Sequence, residues 1–165
     1  KALLLALVCG LRVSEIDHLL WTAFDFDEGI LRIQDTHYHR LKSEDSAGDI
    51  ALGADMIDLF SKYSKESGSE FVVESDNCPN PDNSSRHYRC DKHFETLRAW
   101  LKAKGVSAAK PIHELRKEIG SIVASEEGIF AASRYLRHSD IRITSSIYAD
   151  QKNRIVPSLG IKLTD

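Results

Sequence analysis

Residues 2–9 are apolar almost without interruption, the pattern of a short helix buried nearly all round, and Gly10 ends it. Ser14 with Asp17 three positions on reads as a capping box, opening a helix whose apolar side is Ile16, Leu19 and Leu20. The period then changes. Phe24 and Phe26 alternate with aspartates, Asp27-Glu28-Gly29 is a turn, and Ile30 to Ile33 reads as a strand. A polar stretch from Asp35 to Asp49 leads to Ile50-Ala51-Leu52, so two or three antiparallel strands with a long hairpin are expected. Helical spacing returns at Met56, Leu59, Phe60 and Tyr63. Phe71 to Val73 suits a short extended piece, and residues 75–87 form the longest loop. Phe94, Leu97 and Leu101 mark a helix closing at Gly105. Another helix follows Pro111, beginning near His113 and stopping at Gly128. Short helices are expected over residues 129–137 and 140–149, and Trp21 and Trp100 are expected in the core. The fold class is therefore mostly α with a small antiparallel β-sheet (α+β).

Composition narrows the picture only a little. The 165 residues suit one domain, and 42% hydrophobic with 28% charged is a globular balance. A formal net charge of −3 announces no global basic field, although local clusters matter more than the total. Cys9, Cys78 and Cys90 are too few and odd in number for a disulfide scaffold, which favours a reducing compartment. Cys78 and Cys90 with His87 and His93 fit no common zinc spacing, so no metal is expected. No apolar run approaches the roughly 20 residues of a membrane helix. Residues 2–9 are read as a buried helix rather than a signal segment, because Arg12, Glu15 and Asp17 follow at once. Opening on Lys1 in mid-pattern suggests a piece of a longer protein.

Three stretches carry chemistry. Gly10-Leu11-Arg12-Val13-Ser14-Glu15 places an arginine just before a helix start, where anions are already favoured. His113-Glu114-Leu115-Arg116 sets His and Arg on one helix face. Leu136-Arg137-His138-Ser139-Asp140-Ile141 is followed by Thr144 and Tyr148. Each alone is a weak signal, since surface arginines and half-buried tyrosines are common.

Together and in this order, over residues 3–150, they resemble the active-site signature of the tyrosine recombinase (phage integrase) family. The resemblance implies a catalytic domain over residues 1–165, lacking the N-terminal DNA-clamping domain and the start of the catalytic domain. It implies Arg12, His113, Arg116 and His138 around a scissile phosphate, Tyr148 as nucleophile and a lysine on the β-hairpin, which falls at Lys42. Glu15 would orient Arg12; Arg137 and Arg40 are possible DNA contacts. The implied activity is site-specific DNA recombination or integration through a 3′-phosphotyrosyl intermediate, with no cofactor and no metal. Double-stranded DNA is the implied partner, with a synaptic tetramer for the full-length protein, no membrane, and a cytoplasmic, prokaryotic or phage-derived setting. The alternatives are a type IB topoisomerase-like nicking-closing enzyme and an inert DNA-binding remnant.

Elementary chemistry agrees with these roles. Phosphodiester cleavage concentrates charge on the non-bridging oxygens, which fixed cationic donors stabilise. Tyrosine, with an ordinary pKa near 10, must lose its proton as it attacks, and a neutral histidine can take it.

The chain departs from the family pattern in three places. Tyr148 lies ten residues beyond His138, one more than usual, so the segment before it is expected to bulge or unwind. Arg137 stands where a glycine commonly precedes the histidine. The hairpin ends in Gly48-Asp49-Ile50-Ala51-Leu52, without the usual Arg and Pro.

Overall fold

The computed structural model describes residues 1–79 and 88–148, and within them every side chain except those of Glu44 and residues 146–148. Much of the long loop, residues 80–87 with His87, lies outside that range, as do residues 149–165. The elements run α1 (Ala2–Leu7), α2 (Val13–His18), β1 (Phe24–Asp25), β2 (Ile30–Ile33), β3 (Gly48–Ala51), α3 (Ala54–Glu66), α4 (Asp91–Ala103), α5 (Pro111–Glu127), α6 (Ile129–Tyr135) and α7 (Ile141–Tyr148). No helix among the described residues is long and apolar enough to cross a membrane.

The three strands form one antiparallel sheet in the order β1-β2-β3, with Leu31 paired to Phe24 on one side and Ile50 on the other. Alternation along β2 buries Leu31 and Ile33, while Arg32 on the outer side pairs with Asp25 at 2.9 Å. The inner side meets α3 through Phe60, whose ring stacks on Phe24 at 5.2 Å. Leu5 of α1, Ile16 of α2, Phe94 and Leu101 of α4 and Ile112 of α5 continue the same core. α5 packs against α1, α4 and α6, so it is the post around which the helices gather.

Three local expectations need correction. The second helix is capped at Arg12, with Glu15 rather than Asp17 reaching back to the chain. Asp17 is fully buried and serves another helix: its carboxylate accepts the Cys90 N–H at 2.7 Å and the Arg89 N–H at 3.0 Å, at the start of α4. The Arg89 guanidinium returns a bond to the Asp17 carbonyl at 2.9 Å and lies 4.0 Å over the Phe71 ring. Trp100 is also not core; it is 46% exposed. It lies one residue before Leu101, and one residue turns a helix by about 100°, which carries the indole off the buried side. Trp21 is half-buried and packs on Phe24 and Phe60. The fifth helix starts at Pro111, two residues before the expected start, because proline suits the first helical position.

Gly10 shows why α1 must end where it does. Its φ is +60°, and a Cβ there would sit 3.2 Å from Leu136 Cδ2 and 3.3 Å from Tyr135 Cε1. The turn that delivers Arg12 is therefore pressed directly against the end of α6.

Candidate active site

Arg12 is the N-cap of α2, with extended backbone (φ −76°, ψ 154°). Glu15 accepts the Arg12 N–H at 2.8 Å and its Nη1 at 2.6 Å, which fixes backbone and guanidinium together. Nη2 reaches across 125 residues to donate to the Arg137 carbonyl at 3.3 Å. Glu15 is buried, which alone would raise its pKa. The Arg137 and Arg12 guanidinium groups outweigh burial and hold the carboxyl below its ordinary value.

Arg116, on α5, is 2% exposed. Its Nη1 donates to the Gly10 carbonyl and its Nη2 to the Leu136 carbonyl. Those carbonyls stand just before Arg12 and just before Arg137-His138. One buried guanidinium thus ties together three stretches that are far apart in the chain.

His138 leaves α6 with its ring fixed by a 2.8 Å hydrogen bond between Nδ1 and the buried Thr144 Oγ1 on α7. Partial burial, followed by the positive charges of Arg116 and Arg12, pushes its pKa down to about 4. His113 occupies the first turn of α5, and partial desolvation with the charges of Arg116 and Lys117 moves it below its ordinary value too. Both rings are neutral near pH 7. In a proton NMR titration the His138 ring should protonate near pH 4, far below the ordinary 6.5. The unfolded chain binds this proton first, so the His138 contribution to stability should fall as pH drops from 6.5 to about 4. A His138 midpoint near 6.5 would contradict the convergence of cations around it.

Beside Arg12 and His113 opens a cleft of about 430 Å³, also lined by Tyr88, Arg98 and Lys110 among others. Its charged lining is cationic. Arg98 and Lys110 carried no motif in the sequence; only the closeness of Lys110 to Pro111 and His113 could have drawn attention to it.

The remaining candidates divide. Lys42 and Arg40 are exposed on the β2–β3 connection, and the described contacts do not bring Lys42 to the arginines. That connection is tied down at Leu41, whose N–H donates to Asp35 Oδ1 at 2.7 Å, and at the buried Ser46. Arg137, expected as a possible DNA contact, is 5% exposed and turned inward. Its Nη2 donates to Glu15 Oε2 at 2.8 Å and its Nε to the Ser46 carbonyl at 3.1 Å, so it has no surface to offer a phosphate. Tyr148 ends α7, and its side chain lies outside the described residues. The expected bulge before it is absent, since α7 runs helically from Ile141 to Tyr148. Tyr135, by contrast, donates its hydroxyl to the Val8 carbonyl, and burial pushes its pKa up to about 12.

Comparison with known proteins places this arrangement. The fold resembles the Tn1549 transposon integrase solved with circular-intermediate DNA (TM-score 0.63, 18% identity), covering 89% of this chain and 54% of that one. It resembles XerA recombinase similarly (TM-score 0.64, 18% identity, 90% and 52% covered). A lambda integrase dimer bound to a COC′ core site also matches (TM-score 0.60, 20% identity, 99% and 44% covered). The chain thus spans about half the length of these proteins. No curated protein matches it in sequence. The phage integrase family model, however, matches residues 1–154. With the ordered Arg12, His113-x-x-Arg116 and His138 stretches meeting at one site on a tyrosine recombinase catalytic-domain fold, the chain belongs to the phage integrase family.

Proposed function

We propose that this domain cuts and rejoins double-stranded DNA in site-specific recombination, through a covalent 3′-phosphotyrosyl intermediate. The observation that carries this reading is the Arg116 junction, which ties the Gly10–Arg12 turn to the Leu136–His138 segment beside a cationic cleft lined by Arg12 and His113. Arg12 forks onto the non-bridging oxygens of the scissile phosphate, and the Arg116 charge lies behind it. His138 is neutral, so Nδ1 accepts the Thr144 hydroxyl proton and Nε2–H donates to the phosphate. His113, also neutral, takes the Tyr148 proton as Oη attacks phosphorus. The bond from phosphorus to the 5′-oxygen breaks, and that oxygen takes a proton from Lys42. Rejoining runs the same steps backwards, so the bond energy is kept in the phosphotyrosine and no ATP is required. Glu15 acts through Arg12, which it orients. Neither cofactor nor metal has a part in this scheme. The whole protein would carry a further DNA-clamping domain and assemble as a synaptic tetramer on DNA in the cytoplasm of a prokaryotic host.

The least direct assignment, Lys42, has a selective test. A 5′-bridging sulfur leaves without protonation, so Lys42→Ala should cleave a bridging phosphorothiolate at close to the wild-type rate. On ordinary DNA the same variant should be slower by roughly 10²–10⁴, the contribution of one general acid. Equal slowing on both substrates would make Lys42 a binding residue and remove it from the chemistry. Relaxation of supercoiled DNA without exchange between two sites would favour the nicking-closing alternative.

A further inference from the structure

We propose that Arg137 is a positioning residue: it holds the β2–β3 hairpin, and with it the group that protonates the leaving oxygen, against the Arg12–Glu15 pair. The proposal rests on the hairpin reading given above for Lys42. Its side chain crosses from the α6–α7 turn to two elements distant in sequence. One end meets Glu15 Oε2 at 2.8 Å, and Nε meets the Ser46 carbonyl at 3.1 Å.

Ser46 is the closing residue of a tight turn, its N–H donating to the Ser43 carbonyl at 2.9 Å and its Oγ lying 3.1 Å from Ser43 Oγ. Lys42 is the residue before that turn. Fixing the Ser46 carbonyl therefore fixes the turn and the base of the lysine.

The hairpin is shaped for this arginine. A Cβ on Gly48 would lie 3.2 Å from Arg137 Cδ and 3.6 Å from Cγ, so the bare glycine leaves the channel through which the side chain passes. The backbone supplies an independent sign. Arg137 has φ +51°, a left-handed conformation that glycine adopts freely and a long side chain does not. Its Nη1 is also buried with no hydrogen-bond partner among the described residues. The backbone conformation alone would suit glycine at this position, and the contacts that the arginine side chain adds all run to Glu15 and the hairpin. Without Arg137, Glu15 keeps both of its bonds to Arg12, whereas the Ser46 carbonyl loses this donor.

The test uses the full-length protein with two variants that attack the contact from opposite sides. Arg137→Gly suits the backbone and removes the tether; Gly48→Ala leaves Arg137 in place, crowds its stem and also strains the hairpin backbone, where Gly48 holds φ +158°. Each should cleave ordinary DNA roughly 10- to 100-fold more slowly, the scale of a misplaced catalytic group, and a 5′-bridging phosphorothiolate at close to the wild-type rate. Trypsin should also cut after Arg40 and Lys42 faster in Arg137→Gly than in the parent. Equal slowing on both substrates, the signature of a fault at Arg12 or His138 or of general loosening, would overturn the proposal, as would unchanged cleavage of ordinary DNA. Lys42→Ala run alongside separates the two readings. If Lys42→Ala is not rescued by sulfur but Arg137→Gly is, the lysine assignment fails, and Arg137 still positions the hairpin for leaving-group protonation.

Discussion

Tyr148→Phe is expected to abolish covalent attachment to DNA while leaving noncovalent binding nearly unchanged. The substitution removes one oxygen and keeps the ring, so affinity built on the cationic cleft should persist. Without that oxygen no phosphotyrosine can form, and the loss should be complete rather than graded. The obvious substitute is excluded by its surroundings: the Tyr135 hydroxyl is engaged by the Val8 carbonyl, and its pKa is raised to about 12. A Phe variant that still gave an SDS-resistant adduct would take the nucleophile away from Tyr148, and Tyr63 would be tested next.

Arg12→Ala should slow cleavage by roughly 10²–10³, the scale of losing one oxyanion donor. The fold should survive, because Glu15 retains Arg137 and the backbone N–H at position 12. Arg12→Lys should rescue poorly, since an ammonium cannot serve Glu15 and a phosphate as a planar fork. Arg116→Ala should show a comparable loss with a second signature. Its guanidinium serves two backbone carbonyls, and each buried hydrogen bond to a charged group is worth about 1.5–3 kcal/mol. Denaturant unfolding should therefore shift for both variants, and further for Arg116→Ala, whose guanidinium is the more deeply buried. Near-wild-type cleavage by either alanine variant would remove that arginine from the site.

Much of the architecture was legible because apolar periodicity reports which side of an element is buried. Leu31 and Ile33 on β2, Phe60 on α3 and Phe94 and Leu101 on α4 all point where their spacing said. The motif residues were legible because phosphoryl chemistry needs arginine and histidine in few arrangements. What failed was the reading of polar partners, since a carboxylate can choose among donors anywhere in the fold. Asp17 looked like a local cap three residues from Ser14, yet it serves backbone amides 72 and 73 positions away. Arg137 looked like a phosphate contact from its neighbour His138, and only the path past Gly48 shows it facing inward. Trp100 was misplaced because an aromatic near an apolar stripe can lie one helical step off it.

The central claim is that one particular tyrosine becomes bonded to the 3′ side of a cleaved strand. A nicked DNA substrate that traps the intermediate, followed by trypsin digestion and mass spectrometry, tests it directly. Cleavage after Arg142 and Lys152 releases residues 143–152, a peptide with a single tyrosine, Tyr148. The account predicts the nucleotide adduct on that peptide, on the tyrosine oxygen, with a free 5′-hydroxyl on the departing strand. An adduct on a peptide carrying Tyr135 or Tyr63, or a phosphate left on the 5′ end, would contradict it.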